Sequence, residues 1–116
     1  MSKFNDYQRR VVCWMLTCFG PAKTIDPIER CKRFLEEALE LVQALGLRKS
    51  KVLELVEYVY DRPAGEPEQE VGGVAVSLMG LCDSVDIQFI EAGETELARV
   101  YKNIPRIREK QLEKPE

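Results

Sequence analysis

Residues 34–41 read FLEEALEL, and this stretch decides the fold because its apolar residues recur at the helical period. At 100° per residue, the apolar side chains fall on one arc of a helix, which continues to Leu45, and Glu36, Glu37 and Glu40 fall on another. Like charges at this spacing cost about 0.2–0.5 kcal/mol per pair unless something positive lies between them. A bound divalent cation would supply that charge, whereas a solvated helix face with Lys32 and Arg33 one turn earlier is the simpler interpretation.

The composition is that of one globular domain. The chain has 116 residues, of which 45% are hydrophobic and 32% charged, and its net charge of −3 excludes a protein that coats nucleic acid through a global basic excess. It contains no histidine, so catalysis by imidazole and metal sites with histidine ligands are excluded. Clustered carboxylates favour hard cations, which makes Mg²⁺ the expected cofactor, with Mn²⁺ as the alternative.

The cysteines predict no disulfide framework and no zinc site. Cys13, Cys18, Cys31 and Cys82 form no CxxC pair, and we predict buried free thiols. No stretch resembles a signal peptide or approaches the roughly 20 apolar residues that span a bilayer. We therefore expect a cytoplasmic protein without a membrane partner.

The apolar spacing and the breakers predict an all-α domain spanning residues 1–116, an antiparallel bundle of four to five helices with a frayed tail over residues 112–116. The predicted helices run from Phe4 to Cys18, from Pro27 to Leu45, from Ser50 to Tyr60, from Pro67 to Val85 and from Asp86 to Ile104. The predicted N-caps are Asp26, Ser50 and Asp86, and the predicted stops are Gly20, Gly46 and Pro105.

A second acidic element opens the helix that begins at Pro67. Glu66, Glu68 and Glu70 surround its first turn and are followed by Gly72 and Gly73. Each glycine inside a helix costs about 1 kcal/mol relative to Ala, which suggests that another backbone or a ligand approaches closely. A metal site shared between two helices requires such a close approach.

These two elements carry a family resemblance. LEEALELVQALG, GEPEQEVGGV and the apolar stretch through LCDSVDI resemble the MazG-type nucleoside triphosphate pyrophosphohydrolases, particularly the short single-domain versions of phages and mobile elements, over roughly residues 27 to 111. The resemblance implies an all-α oligomer in which an EExxE helix and an ExxD helix hold Mg²⁺ against a nucleoside triphosphate. Glu36, Glu37 and Glu40 match the first motif, and Glu70 matches the first acid of the second.

The family's metal-binding Asp is replaced by Gly73. Glu66 or Glu68 substitutes for it, or water fills the position, or activity has been lost. Asp83 is a poor substitute, since it lies ten residues further along the same helix.

The resemblance implies hydrolysis between the α- and β-phosphates, giving a nucleoside monophosphate and pyrophosphate. It makes Glu36, Glu37 and Glu40 the catalytic candidates and Glu37, Glu40 and Glu70 the metal ligands. Positive side chains should also hold the phosphates. The densest basic run of the chain consists of Arg99, Lys102, Arg106, Arg108 and Lys110. It offers Arg99, Lys102 and Arg106 as substrate-binding candidates, for which ordinary surface charge is the alternative.

A catalytically degenerate helical interaction protein is the alternative to the enzyme. A nucleic-acid-binding module rests only on the basic C-terminal run, so nucleic acid is an unlikely partner. Because a short helical chain with few aromatic residues does not bury its apolar stripes alone, we expect a homodimer or homotetramer that completes the bundle.

Overall fold

The computed structural model describes residues 5–116, which form seven α-helices and no strand and so confirm the all-α class. Phe4, the predicted start of the first helix, lies outside the described residues. The predicted number of four to five helices is wrong, because two short helices are added. The helices are α1 (Asp6–Phe19), α2 (Pro21–Ile25), α3 (Pro27–Ala44), α4 (Lys49–Tyr60), α5 (Pro67–Ser84), α6 (Phe89–Lys102) and α7 (Ile104–Glu113).

Each added helix has a proline at one of its first two positions, whereas the sequence predicts only helix stops at Gly20 and Pro105. Pro21 follows Gly20, which ends α1 with φ 82°, and Pro105 lies in the first turn of α7. Proline is favourable at the start of a helix, because the N–H that it lacks would have no intrahelical partner there. Helix α7 continues to Glu113, two residues into the segment for which we predict a frayed tail.

The ends of α3 follow the sequence signals. Asp26 Oδ1 accepts a hydrogen bond from the Ile28 N–H at 3.1 Å, which confirms the predicted N-cap. At the other end Gly46 has φ 92°, and the Leu47 N–H donates to the Val42 carbonyl at 3.0 Å. This is a Schellman motif, and it fixes the position of the acidic helix along the chain.

Two predicted N-caps are wrong. Ser50 lies inside α4, which begins at Lys49 without a side-chain cap. Asp86 ends α5 instead of opening α6: its φ is 57°, and the next N–H, that of Ile87, donates to the Cys82 carbonyl at 2.9 Å. Aspartate is one of the few residues other than glycine that tolerate the left-handed conformation.

The chain divides into two compact units. The first, here called the terminal unit, consists of residues up to Lys32 together with Ile90–Glu116, and the second, here called the central unit, is Arg33–Phe89. In the terminal unit Cys18 and Leu97 are buried, with exposed fractions of 3% and 6%. Burial raises the pKa of the Cys18 thiol. The prediction of buried thiols is wrong for Cys13 and Cys31, which are exposed.

Long-range hydrogen bonds join α1 to α6 in the terminal unit. The Tyr7 hydroxyl donates to the Gly93 carbonyl at 2.7 Å, and Trp14 Nε1 donates to the Val100 carbonyl at 3.1 Å. A Cβ atom at position 93 would lie 3.0 Å from the Tyr7 hydroxyl oxygen. The absence of a side chain at Gly93 therefore permits the close approach of Tyr7.

A charged cluster also joins these two helices. Arg10 Nη1 donates to Glu94 Oε1 at 2.8 Å and Arg10 Nε to Asp6 Oδ2 at 2.8 Å. The hydrogen bonds from Arg10 lower the pKa of the Glu94 carboxyl, and burial together with the Glu94 charge raises the pKa of Tyr7. Folding is therefore linked to the protonation of Glu94.

We expect Glu94→Gln to flatten the acid dependence of stability. The pKa of Glu94 is lower in the folded state than in the unfolded state. Its contribution to the free energy of unfolding is therefore present at pH values above the unfolded-state pKa and is lost as the pH falls through the folded-state pKa. Urea unfolding at about pH 6 and about pH 3 should show a smaller loss of stability in the variant than in the parent. Glu113→Gln is the control, and an identical loss in all three proteins would contradict the linkage.

The central unit contains no buried residue. Its half-buried apolar side chains lie on one side of each helix, and large apolar residues such as Tyr60 and Val76 are 83% and 75% exposed. The half-buried apolar residues are Ala38, Leu41, Val42, Val52, Leu78, Leu81 and Cys82.

Among the described residues no single helix is long and apolar enough to cross a bilayer. Only the pair α5 and α6, taken together across the break between them, has the length and apolar composition of a membrane span.

Candidate metal and nucleotide site

The first acidic motif lies in the second half of α3, within the central unit. Glu37 and Glu40 are exposed, and Glu36 is half-buried. Arg33 Nη1 donates to Glu36 Oε1 at 3.0 Å, and the Arg33 side chain is only 14% exposed. Part of the like-charge repulsion on this face is therefore offset by an arginine of the same helix.

Arg33 is a residue whose role we did not predict. We treated it only as part of a solvated face, although its i, i+3 spacing from Glu36 was the available signal. This contact holds one oxygen of Glu36 in a defined position.

The second acidic motif opens α5, also in the central unit. Glu66 is the residue before the helix, where its side chain makes no capping bond, and Glu68 and Glu70 lie in the first turn. A Cβ atom at Gly65 would lie 2.9 Å from Glu70 Oε2, so the Glu70 carboxylate folds back over the loop glycine. This contact explains a small residue at position 65.

The metal that the resemblance implies does not fit a single chain. Carboxylate oxygens are suitable ligands for Mg²⁺, but residues 5–116 contain no group of three or more His, Cys, Asp or Glu side chains placed to hold a metal ion. Glu37, Glu40 and Glu70 are thus not brought together as one ligand set by one chain. Apart from the backbone of its own helix, no described atom lies within 4 Å of a Cβ position built at Gly73.

The basic candidates belong to the terminal unit. Arg99 forms a bidentate ion pair with Glu96: Arg99 Nε and Nη2 donate to the two carboxylate oxygens of Glu96 at 2.8 and 2.7 Å. The hydrogen bonds from Arg99 lower the pKa of Glu96. Lys102 and Arg106 are exposed. The assignment of these three residues to phosphate binding stays a prediction.

Another member of the basic run, Arg108, has a structural contact. Its Nε donates to the Cys18 carbonyl at 2.8 Å, and its Nη2 donates to the Thr17 carbonyl at 2.8 Å. These carbonyls belong to the last turn of α1, and the carbonyls of a last turn have no N–H partner within the helix. Arg108 therefore caps α1 from α7.

Comparisons with known proteins add nothing to the description of the candidate metal and nucleotide site. No protein-family model, no curated protein and no solved structure matches the chain.

Proposed function

We propose that this protein is a Mg²⁺-dependent nucleoside triphosphate pyrophosphohydrolase that acts as a homodimer or homotetramer. The observation that carries the proposal is that Glu37, Glu40 and Glu70, which match the acidic motifs of the family that the chain resembles, are all exposed on helices of one unit. Each is accessible to a ligand. Two acidic helices are what the resemblance leads us to expect.

The reaction adds one water molecule across the linkage between the α- and β-phosphates. The products are a nucleoside monophosphate and pyrophosphate. We assign the orientation of the attacking water to Glu36, whose position is defined by the 3.0 Å contact with Arg33. The carboxylate oxygens of Glu36 can accept a hydrogen bond from such a water molecule.

Self-association is part of the proposal. The central unit has no buried residue, and its exposed apolar residues lie on all three of its helices. Apolar surface of this extent is typical of an interface. Light scattering at micromolar concentration should therefore report a mass of two or four chains, and a monomer at that concentration would contradict this part of the proposal.

The hydrolase is tested by incubating the purified chain with each common nucleoside triphosphate in the presence of Mg²⁺, Mn²⁺ or a chelator. We expect pyrophosphate and monophosphate to form in equal amounts with metal and not with chelator. Glu37→Gln and Glu40→Gln should each lower turnover about 100-fold or more. Glu57→Gln is the matched control, because it removes an exposed carboxylate from α4 of the same unit.

The outcomes of this assay are distinct. Turnover that is unchanged in Glu37→Gln and Glu40→Gln would remove these residues from the mechanism. Absence of turnover with every nucleotide and both metals would reject the hydrolase, provided that circular dichroism shows the helices to be folded.

A catalytically degenerate interaction protein is the second candidate. Gly73 in place of the expected ligand and the absence of a three-carboxylate group within residues 5–116 favour it. It predicts self-association without hydrolysis. The mass measurement and the pyrophosphate assay together separate the two candidates.

A further inference from the structure

Arg30 has a guanidinium with two buried donors that lack an acceptor. It lies near the start of α3, in the part of that helix that belongs to the terminal unit, and its side chain reaches α1. Its Nε and Nη2 atoms are shielded from solvent, and neither has a hydrogen-bond partner within residues 5–116. Buried donors of this kind cost free energy, because they have lost their bonds to water without replacing them.

Two other arginines of the terminal unit use the same pair of atoms. Nε and Nη2 of Arg99 donate to the carboxylate of Glu96, and Nε and Nη2 of Arg108 donate to two backbone carbonyls of α1. The planar guanidinium presents its donors in a fixed fork, so each of these edges recognises oxygen acceptors. The corresponding edge of Arg30 has none among the described residues.

The Arg30 guanidinium instead contacts two apolar side chains of α1. Its Cζ atom lies 5.7 Å from the centroid of the Phe19 ring, and its Nη1 atom donates to the Met15 sulfur at 3.6 Å. The aromatic face attracts the positive charge but supplies no oxygen, and a thioether sulfur is only a weak acceptor. These contacts place a strong donor group beside an oxidisable sulfur.

We propose that Met15 is a site of oxidation to methionine sulfoxide, and that Arg30 binds the sulfoxide oxygen. Oxidation adds a strong acceptor one bond away from the sulfur that Arg30 already contacts. Because Nη1 and Sδ are 3.6 Å apart, this oxygen can lie about 2.9 Å from Nη1, the usual N–H···O distance, without movement of the sulfur. Nη2 shares the end of the guanidinium with Nη1, so the same oxygen can also accept one of the bonds that Arg30 lacks among the described residues.

The oxidant in this step is hydrogen peroxide. A lone pair of the Met15 sulfur forms the S–O bond as the O–O bond breaks, and the second peroxide oxygen leaves as water with both peroxide protons. The thioether loses two electrons and the peroxide gains them. Met15 is half-buried, so its side chain is partly accessible to a small oxidant. Methionine sulfoxide reductases reverse such a step with two electrons from thiols.

Oxidation at Met15 should stabilise the protein, which is the reverse of its usual effect. A sulfoxide among apolar side chains destabilises a fold, because its oxygen loses water and finds no donor. At Met15 the oxygen meets a charged donor that lacks acceptors, so the contact between α1 and α3 should become stronger. The inference goes beyond the proposed hydrolysis and does not depend on it.

The test uses a parent chain in which peroxide acts on few side chains besides Met15. The buried Cys18 is retained, since burial raises the pKa of its thiol and so disfavours the reactive thiolate. Peptide mass spectrometry assigns each added oxygen to its residue. The substitutions in the parent are Met79→Leu, Cys13→Ser, Cys31→Ser and Cys82→Ser.

Urea unfolding is measured for the reduced and the oxidised forms of this parent and of its Arg30→Met variant. We expect oxidation to raise the urea midpoint of the parent and to lower that of Arg30→Met. The effect of oxidation on the unfolding equilibrium constant should differ at least about tenfold between the two chains, because a hydrogen bond to a charged group is lost. Arg9→Met is the matched control, since it removes an exposed guanidinium from α1, and it should respond as the parent does.

Two results of this experiment would overturn the inference. An equal loss of stability on oxidation with and without Arg30 would show that Arg30 does not bind the oxygen. A Met15 that stays reduced in the folded chain, at a peroxide dose that fully oxidises the 40% exposed Met79 in a chain that retains it, would remove the site. Neither measurement involves a nucleotide, so a failed pyrophosphate assay leaves them unaffected.

Met15→Gln provides a second measurement if Arg30→Met does not fold. The side-chain carbonyl carbon of glutamine takes the position of the methionine sulfur, so its oxygen imitates the sulfoxide oxygen in a chain that keeps Arg30. Met15→Leu is the control without an acceptor. We expect the glutamine variant to have the higher urea midpoint, although a half-buried polar side chain ordinarily lowers stability. A higher midpoint for the leucine variant would also overturn the inference.

Discussion

Replacing Leu97 by Ala should lower the free energy of unfolding by about 2–5 kcal/mol, measured by urea denaturation at fixed protein concentration. Leu97 lies in α6 and is 6% exposed, and in the described chain only it and Cys18 are buried apolar residues. Truncation removes apolar contacts and leaves a cavity that the surrounding helices fill only in part. The lower part of this range is expected, because many neighbouring side chains of the terminal unit are half-buried.

Leu112→Ala is the matched control for this prediction. It deletes the same atoms from α7, where the leucine is 86% exposed, and should change stability by less than about 0.5 kcal/mol. Equal effects of the two substitutions would mean that Leu97 is not part of the core of the terminal unit.

Local signals made α3 and α5 predictable from the sequence. Asp26 before Pro27, Gly46 after the last apolar residue, and Pro67 at the start of an acidic turn each act within a few residues. Their physical effect is complete once one turn of helix has formed. Both ends of α3 and the start of α5 could therefore be placed without knowledge of the tertiary structure.

The end of α5 could not be predicted in this way. We assigned Asp86 to the start of a helix, because aspartate is favoured there, but the same side chain also tolerates the left-handed conformation that ends a helix. The residues around it do not distinguish these two roles. Tyr7 and Gly93 present the same problem over a longer distance, since they are 86 residues apart in the chain.

The candidate site was predicted only as a set of residues. The acids are on the expected helices, but whether Glu37, Glu40 and Glu70 converge depends on how helices pack, and a helical pattern contains no information on that. Within residues 5–116 of one chain they form no metal-binding group. If the self-association that we propose is correct, the packing that decides the site also involves a second chain, which a single sequence does not describe.

Arg108 illustrates how a basic residue assigned to a surface run can stabilise the fold. We expect Arg108→Met to lower the free energy of unfolding by about 1.5–3 kcal/mol, because the Thr17 and Cys18 carbonyls lose a charged donor at the end of α1. Methionine retains much of the apolar stem, so the loss reports on the guanidinium. The measurement is urea denaturation, as for Leu97.

Two further variants separate the contact of Arg108 from its charge. Arg106→Met removes an exposed guanidinium from the same helix and should have an effect below about 0.5 kcal/mol on stability. Arg108→Lys keeps the charge but lacks the planar fork that reaches two carbonyls at once, so it should recover only part of the loss. If Arg108→Met and Arg106→Met destabilise the protein equally, the two hydrogen bonds to α1 contribute nothing beyond ordinary surface charge. If they differ as expected, the C-terminal helix is required to cap the first one, and removing residues 104–116 should destabilise the terminal unit more than the point variant does.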